Sequence, residues 1–137
     1  MFFKKVKIKD NNFQIKVCAL LIHAAKIDEN YTTKEEKIIQ KTLIELGISE
    51  QNLKRVFDQA ELAEKDANQI LDFTREIKNA DENFKIKIIE SLWRIIFSDG
   101  LSDMYESNFM RRITGLIYID SKIVGDIKEK IKKNIIK

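Results

Sequence analysis

The sequence predicts an all-α protein: a single compact bundle of about seven helices with an internal pseudo-two-fold duplication. Three observations predict it. The 137 residues include no proline and only four glycines, so little in the chain interrupts a helix. Apolar residues recur at helical spacing in successive segments. The pattern of residues 27–42 also returns at residues 98–113, an offset of 71 residues. With 44% hydrophobic residues, a chain of this length can bury one core.

The first helix is predicted to begin between Asp10 and Asn12, which are candidate N-caps, and to run to about Ile27. Its apolar positions cover almost the whole circumference, which is typical of a central helix enclosed by others. Residues 1–9 contain four lysines and no acid, and we predict a basic N-terminal arm that is disordered or loosely docked. The apolar positions of the helix are Phe13, Val17, Cys18, Leu20, Leu21, Ile22, Ala24 and Ala25.

The next three helices are predicted from their end signals. Thr32 and Glu35 have the spacing of a capping box, in which each side chain bonds the backbone N–H of the other residue, so a second helix starts there. Gly47 is its expected C-terminal stop, and Ser49 opens a third helix. A shorter fourth helix over about 68–79 is predicted to connect the two halves.

From Asp81 the pattern starts again with a second central helix. At the 71-residue offset Val17 matches Ile88 and Leu21 matches Leu92, so the repeated unit is predicted to be three helices. Two such units can bury their apolar stripes by packing against each other. We therefore predict that a pseudo-two-fold axis relates them. The predicted domain covers 10–137, with copies at about 13–60 and 84–131. The later helices are predicted from Asp81 to about Asp99, from Asp103 to about Ile117, and from Ser121 towards Ile135.

Composition excludes several kinds of site. Cys18 is the only cysteine, so the chain has no intramolecular disulfide and no Cys/His zinc site. His23 is the only histidine, and no second metal-binding residue such as Cys or Asp lies one helical turn away. We therefore interpret it as a packed or edge residue. There is no nucleophile–histidine–acid arrangement and no glycine-rich phosphate loop, and we therefore expect a protein that is not an enzyme.

The charge is unevenly distributed along the chain. Residues 1–9 and 122–137 together carry a net charge of +8, whereas residues 10–121 carry −5. An acidic body with basic ends does not predict nucleic-acid binding, which requires a basic face on the folded part. Contact of Phe2, Phe3 and the terminal lysines with anionic lipid stays open as an alternative.

The sequence also predicts the location of the protein in the cell. The longest apolar run, residues 17–22, is far shorter than the roughly 20 residues that span a bilayer. The basic N-terminus is not followed by the apolar segment of a signal peptide. We expect a cytoplasmic protein, with membrane association left open.

Each repeated junction between two helices presents a pair of acids. Asp28 and Glu35 form the first pair, and Asp99 and Glu106 the second. A carboxylate at a helix C-terminus is disfavoured by the helix dipole by about 0.3 to 1 kcal/mol, so each Asp needs a compensating partner. One interpretation is a hard divalent cation held by these four carboxylates; the other is helix capping without metal.

The calcium-binding EF-hand is excluded at both junctions. Counting from Asp28, position six would be Thr33 instead of glycine, and position twelve would be Ile39 instead of glutamate. The second copy has Met110 at position twelve. A metal at these junctions would therefore need another geometry.

The ordered motifs resemble the tellurite-resistance TerB family over roughly residues 13–130. An apolar helix ends in Ala-x-x-Asp and is followed by an acidic turn and Glu, and the pattern repeats in the second half. The other residues that carry the resemblance are Phe97, Ser98, Asp99, Gly100, Tyr105, Glu106, Arg111, Arg112 and Ile113, together with Leu46 to Ser49, Phe73 to Arg75, and Trp93.

The resemblance implies a compact all-α accessory module with paired acids on a metal-associated surface. The acidic positions of the family carry over to Asp28, Glu35, Asp99 and Glu106, and the implied cofactor is a divalent cation of unknown identity. The implied partner is a protein, including an integral membrane protein, in a metal- or tellurite-stress or envelope-stress response. The alternative is a metal-free protein-interaction scaffold, and the oligomeric state is not predicted.

Overall fold

The computed structural model describes residues 2–27, 32–66, 70–98 and 104–136, with side chains described for 12–27, 32–65, 70–98 and 107–134. All regular structure within these ranges is helical, as predicted. The helices are α1 (Phe2–Ala25), α2 (Thr33–Glu45), α3 (Glu50–Asp66), α4 (Leu71–Lys78), α5 (Glu82–Phe97), α6 (Met104–Leu116) and α7 (Ser121–Ile136).

The first helix begins earlier than predicted. We expected a start between Asp10 and Asn12, with residues 1–9 as a disordered or loosely docked arm; instead, α1 is helical from Phe2 onwards. Residues 2–11 include no proline or glycine that would break a helix. A candidate N-cap such as Asp10 can therefore lie inside a continuous helix. The predicted start of the first helix was therefore wrong, and the basic arm over residues 1–9 stays a prediction.

Two long helices, α1 and α5, form the centre of the fold. Residues 17–22 of α1 have no exposed surface, which confirms a helix enclosed on all sides. In α5, seven apolar residues between Ile88 and Phe97 are buried. Helices α2, α3 and α4 pack on α1, and α2 and α7 pack on α5, which itself contacts α1. Helix α6 contacts α4 and α7 at the periphery.

Helix α2 ends at the predicted glycine. Gly47 has a φ of 105°, a left-handed conformation that favours glycine. The N–H of Ile48 donates to the carbonyl of Leu43 at 3.0 Å, which closes the end of the helix. The buried Gln14 of α1 donates from Nε2 to the carbonyl of Leu46 at 3.1 Å, so the cap is also fixed to the central helix.

The same helix end occurs in the second half of the chain. Tyr118, 71 residues after Gly47, also has a positive φ, of 57°. Beside it the N–H of Ile119 donates to the carbonyl of Thr114 at 3.4 Å, the equivalent of the bond that closes α2. Helices α2 and α6 both have 13 residues and begin at this same offset. These matches agree with the predicted duplication, which stays a prediction together with its pseudo-two-fold axis.

None of the helices within the described ranges has the combination of length and hydropathy that crossing a membrane requires.

Candidate functional site

The predicted capping box is present at the start of α2. The backbone N–H of Thr32 donates to Oε1 of Glu35 at 2.8 Å, and the N–H of Glu35 donates to Oγ1 of Thr32 at 3.3 Å. Glu35 is only 2% exposed, which is unusual for a carboxylate in a first helical turn. Its burial means that this side chain also meets a neighbouring element.

That neighbour is the end of α5. The hydroxyl of Ser98, the C-cap of α5, lies 3.4 Å from Oε2 of Glu35, and it lies 2.7 Å from the carbonyl of Ile95. One hydroxyl proton serves both acceptors, so the shorter bond within α5 is the stronger of the two. Lys34 adds a second link, because its Nζ donates to the carbonyl of Ser98 at 3.3 Å.

The contact joins two residues that border the predicted acidic junctions. Glu35 belongs to the first junction, and Ser98 directly precedes Asp99 of the second junction in the chain. Of the four predicted ligands, Asp28 and Asp99 lie outside the described residues. Glu106 lies in α6, but its side chain is outside the described set. The structure therefore places Glu35 beside the end of α5, and the coordination of a metal by all four acids stays a prediction.

Histidine, cysteine and acidic side chains within the described ranges form no group of three or more that is arranged for a metal ion. Because only Glu35 of the four predicted ligands has a described side chain, this finding concerns alternative sites elsewhere in the fold.

Helices α2 and α5 are joined again two turns further along. Thr42 of α2 and Ser91 of α5 are both buried, and their hydroxyls are in hydrogen-bond contact. Seven residues separate Glu35 from Thr42, and seven separate Ser91 from Ser98, so the two helices run antiparallel with these residues facing one another. Sequence reasoning missed this pair, although small hydroxyl residues within two apolar stripes were a visible signal.

Glu36, the next residue of α2, lies on a different face of the helix from Glu35. It lines a groove of about 430 Å³ between α2 and α3, where Gln40 donates to its carboxylate at 3.4 Å. Glu50, Asp58 and Glu61 line the same groove. Adjacent positions on a helix point in different directions, so Glu35 turns towards α5 and Glu36 turns towards α3.

A charged cluster links the end of α1 to α3. Glu64 accepts from Nζ of Lys26 at 2.9 Å, and its Oε2 lies 3.3 Å from Nδ1 of His23. Burial opposes ionisation of Glu64, but the hydrogen bonds from Lys26 and His23 outweigh it and lower the pKa of this carboxyl group. His23 also packs against the ring of Phe109, at a centroid distance of 5.9 Å. His23 is thus an edge residue, as its sequence context indicates.

Cys18 is fully buried in the centre of α1. Burial raises the pKa of its thiol, and the carboxylate of Glu61 raises it further. Because the thiolate is the reactive form, Cys18 acts as a small apolar core residue.

The model of the tellurite resistance protein TerB family matches residues 14–129. The chain belongs to the TerB family. The match covers α2 to α6 completely and about half of α1 and of α7, and it spans both predicted acidic junctions. Comparison of this TerB-family domain with curated proteins found no significant match, and comparison with solved structures found none.

Proposed function

We propose that this TerB-family domain is a non-catalytic accessory module that binds a divalent cation where its two acidic junctions meet, and that it docks on a partner protein. The single observation that supports the site is the contact between Glu35 and Ser98, which joins the first junction to the residue before Asp99. The resemblance to the family implies a role in metal- or tellurite-stress or envelope-stress responses, and an integral membrane protein as a class of partner.

The donor set fits a hard divalent cation. Such ions take several oxygen ligands, and the proposed set is the carboxylates of Asp28, Glu35, Asp99 and Glu106. Glu35 is held in one orientation by Thr32, so an oxygen ligand is already fixed beside the end of α5. A bound cation supplies positive charge that offsets carboxylates placed just after the ends of α1 and α5, where the helix dipoles disfavour them.

The second candidate is a metal-free interaction scaffold. The observation that favours it is the complete capping box, because Thr32 and Glu35 satisfy each other's backbone N–H groups without any ion. In that case Asp28 and Asp99 act only as helix-end residues, and partner binding does not depend on metal.

A metal titration separates the two candidates. Chelator-treated wild-type protein is titrated with Ca2+, Mn2+ or Zn2+ by calorimetry, and thermal unfolding is recorded with and without each ion. The variants are Asp28→Asn, Asp99→Asn and the double variant. Asp126→Asn, which removes an exposed acid on α7, is the matched control. We expect one ion to raise the unfolding temperature of the wild type and the control by several degrees, since a ligand at about 100 times its Kd stabilises by about 2.7 kcal/mol.

Loss of that shift in Asp28→Asn and Asp99→Asn supports the cation site. If the wild type shows neither heat nor a shift with any ion, the metal proposal is wrong. If the variants are destabilised equally with and without metal, the scaffold is the correct interpretation.

A further inference from the structure

A second groove lies on the other side of α2, between α2, α5 and α7. Its volume is about 320 Å³, which is enough for one or two large apolar side chains. Its floor is apolar: Ile38 is half-buried, and Phe97 and Ile131 are 3% and 4% exposed. The groove adjoins the acidic junction, because Ser98 lines one end of it.

The rim of this groove is positively charged. Arg94 of α5 and Lys34 of α2 both line it. Arg94 has no hydrogen bond or ion pair within the described parts of the chain, and Glu90, one helical turn before it, does not pair with it. Lys37 and Lys41 are exposed on the same face of α2 as Lys34, at helical spacings of three and seven residues.

The shape and the charge of the groove indicate which class of partner can bind there. A groove between three helices is concave, so it can accept a side chain that projects from a partner protein. The flat surface of a lipid bilayer does not fit into such a groove. The unpaired guanidinium of Arg94 can bind a carboxylate with two hydrogen bonds. The apolar floor requires that the same partner also presents a large apolar side chain.

We propose that the α2–α5–α7 groove is the docking site for an acidic segment of a partner protein, with one large apolar side chain on Ile38, Phe97 and Ile131 and flanking carboxylates on Arg94 and Lys34. This inference rests on the docking role proposed above and specifies its surface and the chemistry of its partner. It uses different described side chains from the cation site, because Glu35, the one proposed metal ligand whose side chain is described, does not line the groove.

The chain contains a natural reporter for this groove. Trp93 is the only tryptophan, and its ring stacks on Phe97 of the floor with a centroid distance of 5.6 Å and an interplanar angle of 16°. Trp93 is 4% exposed, so its emission in the free protein is that of a buried indole. A side chain that contacts Phe97 changes the packing around Trp93, and the intrinsic fluorescence therefore follows occupancy of the groove.

The test uses the full chain and a fluorescein-labelled acidic peptide with a central leucine between aspartates and glutamates. Two control peptides replace the leucine by serine or the acids by lysine. Binding is measured by anisotropy of the label, and unlabelled peptide is used for Trp93 emission. Both are recorded in chelator and in calcium. Arg94→Gln is the principal variant, and Arg55→Gln, which removes an exposed arginine on α3, is its matched control.

We expect saturable binding of the leucine peptide, with the same midpoint from anisotropy and from Trp93 emission. Arg94→Gln should weaken it by about tenfold, whereas Arg55→Gln leaves it within about twofold of wild type. The serine and lysine peptides should bind at least about tenfold more weakly. Thermal unfolding of Arg94→Gln should match wild type, because the arginine has no hydrogen-bond or ion-pair partner among the residues that the structure describes.

Several outcomes overturn the proposal. These are the absence of saturable binding, equal weakening by Arg94→Gln and Arg55→Gln, and equal affinity for the serine peptide. Tighter binding to vesicles containing phosphatidylserine than to the peptide, lost in Arg94→Gln, assigns the surface to lipid instead. If peptide binding fails while the metal titration succeeds, only the groove proposal is wrong. If the titration fails while the peptide binds in chelator, only the cation site is wrong.

Discussion

The carboxylate of Glu35 lies 3.4 Å from the hydroxyl of Ser98, so the first turn of α2 meets the C-cap of α5 across 63 positions of the chain. The same carboxylate caps its own helix through Thr32. Glu35 therefore combines a local role with a tertiary one, and its burial follows from the second. This contact places the start of α2 against the end of α5.

Truncation of Glu35 should destabilise the fold, because this side chain has both a local and a tertiary role. We expect Glu35→Ala to lower the free energy of unfolding by about 2 kcal/mol, because it leaves the part-buried N–H of Thr32 without its acceptor and removes the contact with Ser98. Glu35→Gln should cost about half as much, since glutamine also serves in capping boxes. Urea denaturation measures both values. Glu45→Ala, at an exposed position near the end of α2, is the control, and an equal loss in that variant would contradict the role of Glu35.

The buried hydroxyl pair between α2 and α5 should respond asymmetrically to mutation. Thr42 donates to the carbonyl of Ile38 at 3.0 Å, so Ser91 is the donor within the pair. We expect Thr42→Val to cost about 1 to 2 kcal/mol by leaving a buried donor without its acceptor, and Ser91→Ala to cost less than about 1 kcal/mol. The double variant should recover part of the Thr42→Val loss.

Chemical denaturation of the four proteins forms a double-mutant cycle for this pair. Additive losses in the double variant, or a larger loss in Ser91→Ala than in Thr42→Val, would refute the assigned donor direction.

Glycine substitutions should have opposite effects at two positions. Gly47→Ala introduces a Cβ where φ is 105°, and we expect a loss of about 1 to 2 kcal/mol from backbone strain. Gly125→Ala lies within α7 with no atom within 4 Å of the new Cβ, so alanine should stabilise the helix by about 0.5 to 1 kcal/mol. Thermal unfolding of both variants checks this, and a shared direction of change would be inconsistent with the left-handed cap.

The contribution of Glu64 should depend on pH. Its pKa in the folded protein lies below the ordinary value of 4.5, so the ionised carboxylate stabilises the fold at pH values above 4.5. That contribution is lost as the pH falls through the lowered folded value. We expect Glu64→Gln to be less stable than wild type by about 1 kcal/mol at neutral pH, with the difference disappearing in acid.

Urea denaturation across this pH range measures the Glu64 contribution, with the exposed Glu129→Gln as control. A difference between wild type and Glu64→Gln that stays constant into acid would show that packing, and not charge, is responsible.

Local signals in the sequence were sufficient for most of the helical framework. The capping box of Thr32 and Glu35, the stop at Gly47 and the apolar stripes of α1 and α5 depend on residues within a few positions of each other, and the structure confirms them. The start of α1 was predicted incorrectly. A candidate N-cap marks the start of a helix only where a helix-breaking residue precedes it, and none occurs in residues 2–11. The four acids of the candidate site were likewise selected from a local pattern and its repeat.

The sequence by itself determined the helices, their ends and the TerB-family membership of this chain, because helical periodicity and capping are short-range properties. Only the tertiary structure decided which surfaces meet. The contact of Glu35 with Ser98, the pairing of Thr42 with Ser91, and the groove between α2, α5 and α7 all depend on the register of α2 against α5. That register is set by the packing of whole apolar faces, and no local pattern in either helix encodes it.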